Sequence, residues 1–75
     1  MPAITSVADV GDQVWLKRKA IGMTQAQAAA HCGVGIRFMS ELENGKPSLE
    51  MGRVIRVLHA LNLELVLTQP ANQSA

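Results

Sequence analysis

Ile36, Arg37, Ser40 and Glu41 share one short stretch and have side chains suited to recognising polar and apolar edges. At helical spacing they form an outer row, because Val34, Met39 and Leu42 take the inward positions; Phe38, four residues from both Val34 and Leu42, could join that face. An exposed arginine near the amino end of such a helix presents a fork of donors that matches guanine O6 and N7. Ile36 has apolar surface to meet a thymine methyl, and Glu41 can accept from cytosine N4. Each has a plainer reading. Arg37 and Glu41, one turn apart, can simply form a surface ion pair worth about a few tenths of a kcal/mol. Ile36 can be an exposed apolar side chain of the kind most surfaces carry.

The remaining reactive residues build little chemistry. Lys17, Arg18 and Lys19 make a basic run, which at the end of a helix complements its dipole. His31 and Cys32 are adjacent but have no further Cys or His at ligand spacing, so no metal site is expected. No nucleophile–base pair, phosphate-cradling glycine loop or paired carboxylates occur, so neither an enzyme nor a cofactor is expected. Trp15 lies off the apolar stripe of its helix, and His59 has no identifiable partner.

The elements that carry these residues follow from start and stop signals. Ser6-x-x-Asp9 opens a first helix, with Val7, Val10, Val14 and Ile21 on one stripe and Gly22 ending it. Thr24-x-x-Gln27 is a capping box for a second, alanine-faced helix that ends at Gly33. A third runs from about Gly35 to Glu43 and stops at the turn Asn44-Gly45-Lys46-Pro47. Ser48 is the expected cap of a fourth, with Met51, Val54, Ile55, Leu58 and Leu61 as its core stripe. The period then becomes two: Leu63, Leu65 and Leu67 alternate with Glu64, Val66 and Thr68, which reads as a strand. Only Ala3-Ile4-Thr5 offers a weak second strand. The expected organisation is a flexible 1–5, a helical domain over 6–61, a strand over 62–68 and a disordered tail over 69–75.

Composition agrees with a small binding module. The chain has 75 residues, 48% of them hydrophobic, with seven Lys and Arg against six Asp and Glu for a net charge of +1. A domain of this size buries only about 60% of its extended-chain surface, so association with a second copy would strengthen a thin core. One cysteine permits no internal disulfide and suits a reducing compartment. No signal peptide or membrane span is expected, which points to a cytoplasmic protein with no membrane partner.

Two short helices joined by a tight glycine turn, the second with a polar outer row, describe a helix-turn-helix, and a single helix fits the DNA major groove. The stretches Gly22-Met23-Thr24-Gln25, Gly33-Val34 and Glu41-Leu42-Glu43-Asn44-Gly45-Lys46 resemble the lambda-repressor-like (Cro, XRE) helix-turn-helix family over about residues 8–61. The run from the fourth helix into Leu61-Asn62-Leu63-Glu64-Leu65-Val66-Leu67 resembles the HipB-type antitoxins of that family.

The resemblance implies a mostly α fold of four to five helices, with one C-terminal β-strand pairing across a homodimer. Ile36, Arg37, Ser40 and Glu41 then lie where the family reads bases. Thr24 and Gln25, and beyond the third helix Asn44, Gly45 and Lys46, approach phosphates of double-stranded DNA. Arg18 and Glu43 match a charged pair that braces helix one against helix three, and Leu63, Leu65, Val66 and Leu67 form the dimer strand. Gly35 and Ile36 replace the family's usual Ser, Thr or Lys and Gln, so the base pattern is not transferable. The implied function is a dimeric, sequence-specific repressor acting at the bacterial nucleoid on a palindromic operator. It would be the antitoxin of an autoregulated operon and would bind a HipA-type kinase toxin. The alternative is a helix-turn-helix interaction module without specific DNA reading, favoured by Gly35, Ile36 and the small net charge.

Overall fold

A hydroxyl or carboxylate satisfies free amides at the start of three of the helices in the computed structural model, which describes residues 4–69. Ser6 Oγ accepts from Asp9 N–H at 3.3 Å to open α1 (Val7–Ala20). Thr5 also engages this turn, donating its N–H and hydroxyl to Asp9 Oδ2 at 2.8 and 2.9 Å. Thr24 caps α2 (Gln25–Cys32) with a complete capping box, Gln27 N–H to Thr24 Oγ1 and Thr24 N–H to Gln27 Oε1. Gly35 precedes α3 (Ile36–Glu43) and supplies no side-chain cap. α4 (Met51–Ala60) is capped by Glu50, not Ser48: its carboxylate accepts from Gly52 and Arg53 N–H at 3.0 and 3.1 Å. Ser48 lies in the preceding turn.

All four helices close in the same way. A residue of positive φ follows each one: Gly22, Gly33, Gly45 and Asn62. The next residue then donates its N–H back to the carbonyl of the last turn: Met23 to Arg18, Val34 to Ala29, Lys46 to Glu41 and Leu63 to Leu58. This paired closure uses the carbonyls that a helix end leaves free. Asparagine tolerates the left-handed region better than other non-glycine residues, which accounts for Asn62.

α3 lies at the centre, packed on α1 and α2, with α2 also touching α4. Val14, Ala28, Met39, Leu42 and Val57 are fully buried, and Phe38, Val54, Leu58 and Leu61 complete the core. Two expected core positions are corrected. Met51 and Ile21 are exposed, while Val57, absent from the expected stripe, is buried. Met51 lies in the open first turn of α4, and Val54, Val57, Leu58 and Leu61, spaced i, i+3, i+4 and i+7, form the buried stripe.

One contact sets the approach of α1 to α3. Gly11 is buried, and a Cβ there would overlap the Leu42 carbonyl oxygen and stand 3.1 Å from that of Glu43. The two backbones therefore meet with no side chain between them. Gly45 makes a second close approach, its missing Cβ position 2.9 Å from Ala8 Cα.

Among the described residues there are four helices and no strand, so the expected strand over 62–68 is not formed within this single chain. The physical reason is that a strand requires a ladder partner, and the described residues contain no second edge. Leu63 packs against the core, whereas Leu65, Val66 and Leu67 are increasingly exposed. The expected tail falls, beyond Gln69, outside the described residues, as does Ala3 of the weak second strand. No helix among the described residues is long and apolar enough to cross a membrane.

Candidate nucleic-acid interface

The outer row of α3 is open to solvent because Phe38, Met39 and Leu42 turn the opposite face into the core. Ile36 is 54% exposed and the Arg37 side chain 88% exposed, while Ser40 and Glu41, further along, are half-buried. Glu41 Oε2 accepts from Lys46 Nζ at 3.0 Å and lies 3.5 Å from Arg37 Nε. The ion-pair reading of Arg37 and Glu41 is thus realised, and Lys46 joins it from beyond the turn. Lys46 was expected near the backbone of a ligand; its link to Glu41 was not anticipated. The closure of α3 explains that link, since the Lys46 N–H bonds to the Glu41 carbonyl and brings the two residues together. Asn44 lies exposed in the same turn.

Behind this row a buried polar cluster fixes the helices. Arg18 Nε and Nη2 donate to Glu43 Oε2 and Oε1 at 2.7 and 2.8 Å, and Nη1 donates to the Met23 carbonyl at 3.0 Å. Only 7% of the Arg18 side chain and 4% of the Glu43 side chain are exposed. Gln25 Nε2 donates to Glu43 Oε1 at 3.1 Å, so the carboxylate ties α1, α2 and α3 together. Burial pushes the Glu43 carboxyl up, but hydrogen bonds from Arg18 and Gln25 and the Arg18 charge outweigh it and leave the group below its usual range. The bond to Glu43 in turn raises Arg18 above its usual value against the cost of burial.

The side-chain amide of Gln25, an expected phosphate contact, is engaged with Glu43. The start of α2 nevertheless has anion-binding character. An open cleft of about 420 Å³ is lined by Arg18, Lys19, Gly22, Met23, Thr24 and Gln25. The capping box takes the Gln27 N–H, which leaves the Gln25 and Ala26 amides as the first-turn donors of α2 without an intrahelical acceptor.

His31 and Cys32 have separate partners. His31 Nε2 lies 2.9 Å from the Ala60 carbonyl, to which it must donate, while Cys32 is buried with Sγ 3.9 Å from the Val57 carbonyl. Burial pushes the Cys32 thiol up, which suits an inert core residue. Trp15 is 44% exposed, with Lys19 Nζ 5.7 Å from its ring centre.

Known proteins share both sequence and fold with this chain. A family model described as helix-turn-helix matches residues 16–67. An uncharacterised HTH-type transcriptional regulator, y4mF, of Sinorhizobium fredii (strain NBRC 101917 / NGR234) is 36% identical over 70 residues, covering 93% of this chain and 92% of that protein. Among solved structures, HipB in complex with an O4 20-mer and the HipA–HipB–O2–O3 complex each give a TM-score of 0.81 at 23% identity. Both likenesses cover 92% of this chain and 97% of the other, and they establish a shared fold.

Proposed function

Because the chain belongs to the helix-turn-helix transcriptional regulators of the Cro/XRE type, we propose that it is a dimeric, sequence-specific DNA-binding repressor. The observation that carries this reading is the α3 outer row. Ile36 and Arg37 are exposed at the amino end of a helix whose other face is clamped by buried Met39, Leu42 and the Arg18–Glu43 pair. Arg37 and Ser40 supply hydrogen bonds to base edges, Ile36 supplies apolar contact, and Glu41 is an acceptor. Thr24 and Gln25 at the mouth of α2, with Asn44 and Lys46 after α3, approach the phosphates and set the register.

The second copy is proposed to join through residues 62–68, with Leu63, Leu65, Val66 and Leu67 pairing antiparallel to their equivalents. Support comes from the two-residue period and the exposed Leu65, Val66 and Leu67. A groove of about 300 Å³ between Val10, Leu58, Leu63 and Leu65 would also accept further apolar side chains. A two-fold dimer would set two α3 helices against half-sites about one helical turn apart, roughly 34–36 Å. The likeness to HipB extends the proposal to an antitoxin that represses its own operon and binds a HipA-type kinase.

The test is selection from a random double-stranded pool by purified protein near physiological salt. The expected result is a dyad-symmetric motif with fixed half-site spacing. Arg37→Ala should then weaken binding to that motif by about 1–3 kcal/mol per half-site and relax one base position, with melting unchanged. If folded protein enriches nothing, specific DNA reading is wrong, and the exposed Ile36 and small net charge fit a protein-interaction module instead.

A further inference from the structure

Glu41 stands between the two cations that the proposed DNA contact needs. A single carboxylate oxygen, Oε2, serves Lys46 Nζ at 3.0 Å and Arg37 Nε at 3.5 Å. The arrangement is built in, because the Lys46 N–H is fixed to the Glu41 carbonyl at 3.0 Å by the turn that ends α3. Arg37 reaches the same carboxylate from one helical turn earlier. The Lys46 hydrogen bond, with smaller help from the Lys46 and Arg37 charges, holds the Glu41 carboxyl below its usual range against the desolvation that raises it. It is therefore ionised at neutral pH. The three side chains together present one net positive charge where the two cations alone would present two.

Docking on a duplex takes both partners away. Lys46 moves toward a phosphate and Arg37 toward a base edge, which leaves an ionised carboxylate facing a polyanion. A carboxylate only accepts hydrogen bonds. In the major groove the donors that can satisfy it are the amino groups of cytosine (N4) and adenine (N6). We propose that Glu41 is a specificity-determining residue that couples the Lys46 and Arg37 contacts to an amino-bearing base, cytosine or adenine, on the strand that the middle of α3 faces, and disfavours duplex that places guanine or thymine at that position. The proposal rests on the DNA-reading function above and adds a penalty to it: Glu41 weakens indiscriminate binding more than it strengthens the correct complex.

The test compares wild-type protein with Glu41→Ala and Glu41→Gln on two labelled duplexes of equal length. One is the duplex enriched by selection and the other a scrambled sequence, and both are titrated over a range of salt. Glu41 is half-buried but its partners Arg37 and Lys46 are exposed and it takes no part in the core, so cooperative melting should persist. Glu41→Gln, which keeps the side-chain volume, substitutes for the alanine variant if that one fails to melt cooperatively. For Glu41→Ala the scrambled duplex should bind about two- to thirtyfold tighter, as expected from removing one surface ion-pair partner from each of two protomers. The preference for the enriched duplex should fall, and the salt dependence should steepen by about one counterion per protomer as Lys46 is freed. If wild type discriminates and both variants bind the scrambled duplex as wild type does, Glu41 is no such gate, while DNA reading stands. If wild type binds the two duplexes equally, the DNA-reading function itself is overturned, and the gate with it.

Discussion

At the scale of single residues, the Glu43 carboxylate does the most to hold the site together. It accepts from Arg18 twice and from Gln25 once, joining three helices at one point. A buried pair of this kind contributes little over an apolar replacement, yet losing one partner strands the other charge in a site that cannot solvate it. Arg18→Ala should therefore destabilise the domain by about 3–5 kcal/mol, which for so small a protein lowers the melting temperature by more than about 10 °C. Circular dichroism melting checks this; a variant that melts normally but binds DNA poorly would move Arg18 from the core to the interface. The Arg18–Glu43 pairing was available from the family resemblance. The engagement of Gln25 and of the Met23 carbonyl was not, because both depend on how the α1–α2 turn folds back under α3. The Lys46–Glu41 contact could have been found in the sequence. A glycine closing a helix brings the following residue back over the carbonyl of the last turn, so a lysine there faces a glutamate five positions earlier.

At the scale of elements, punctuation in the chain fixed most of the helix ends. Ser6, Thr24 and the glycines at 22, 33 and 45 mark boundaries because each does something the backbone needs: it satisfies a free amide or adopts a positive φ. The start of α4 differs from the expected one because Glu50, two residues beyond Ser48, makes the cap. Glu50, with a longer side chain, reaches both Gly52 and Arg53, and that geometry decides between them only in three dimensions. Met51 is open because it stands in the first turn, while Val57 is buried because it lies three residues from Val54 and four from Leu61 on the inward stripe. Gly11 carried no signal at all, since a glycine inside a helix reads only as a weak point. Its value lies in the partner helix. Helix propensity predicts that Gly11→Ala stabilises α1 by about 1 kcal/mol. Overlap with the Leu42 carbonyl predicts the opposite, because a rigid backbone oxygen must move and not the end of a flexible chain. The overlap should win, with a net loss of about 1–3 kcal/mol. Urea unfolding followed by Trp15 fluorescence should show a lower midpoint at an unchanged slope; a raised midpoint would mean that α1 and α3 can separate at little cost.

At the scale of the whole molecule, the four helices form a unit, while the apolar run after Asn62 is only partly covered. The alternation of Leu63, Leu65 and Leu67 is legible in the sequence, but whether it becomes a strand depends on a second chain. Leu65→Pro removes a ladder donor and restricts the backbone, so it should shift a dimer to monomer in sedimentation velocity while leaving the helical signal intact. Well-folded dimers that survive the change would place the interface elsewhere. The glycine contact between α1 and α3 has one more consequence. At Gly11 backbone stands directly against backbone, so α3 has no slack at that point in which to tilt toward α1. If α3 reads DNA as proposed, a duplex pressed against such an anvil must do most of the bending itself. Operators rich in easily kinked pyrimidine–purine steps would then be preferred even at base pairs that no side chain reaches, because the deformation energy falls on the DNA.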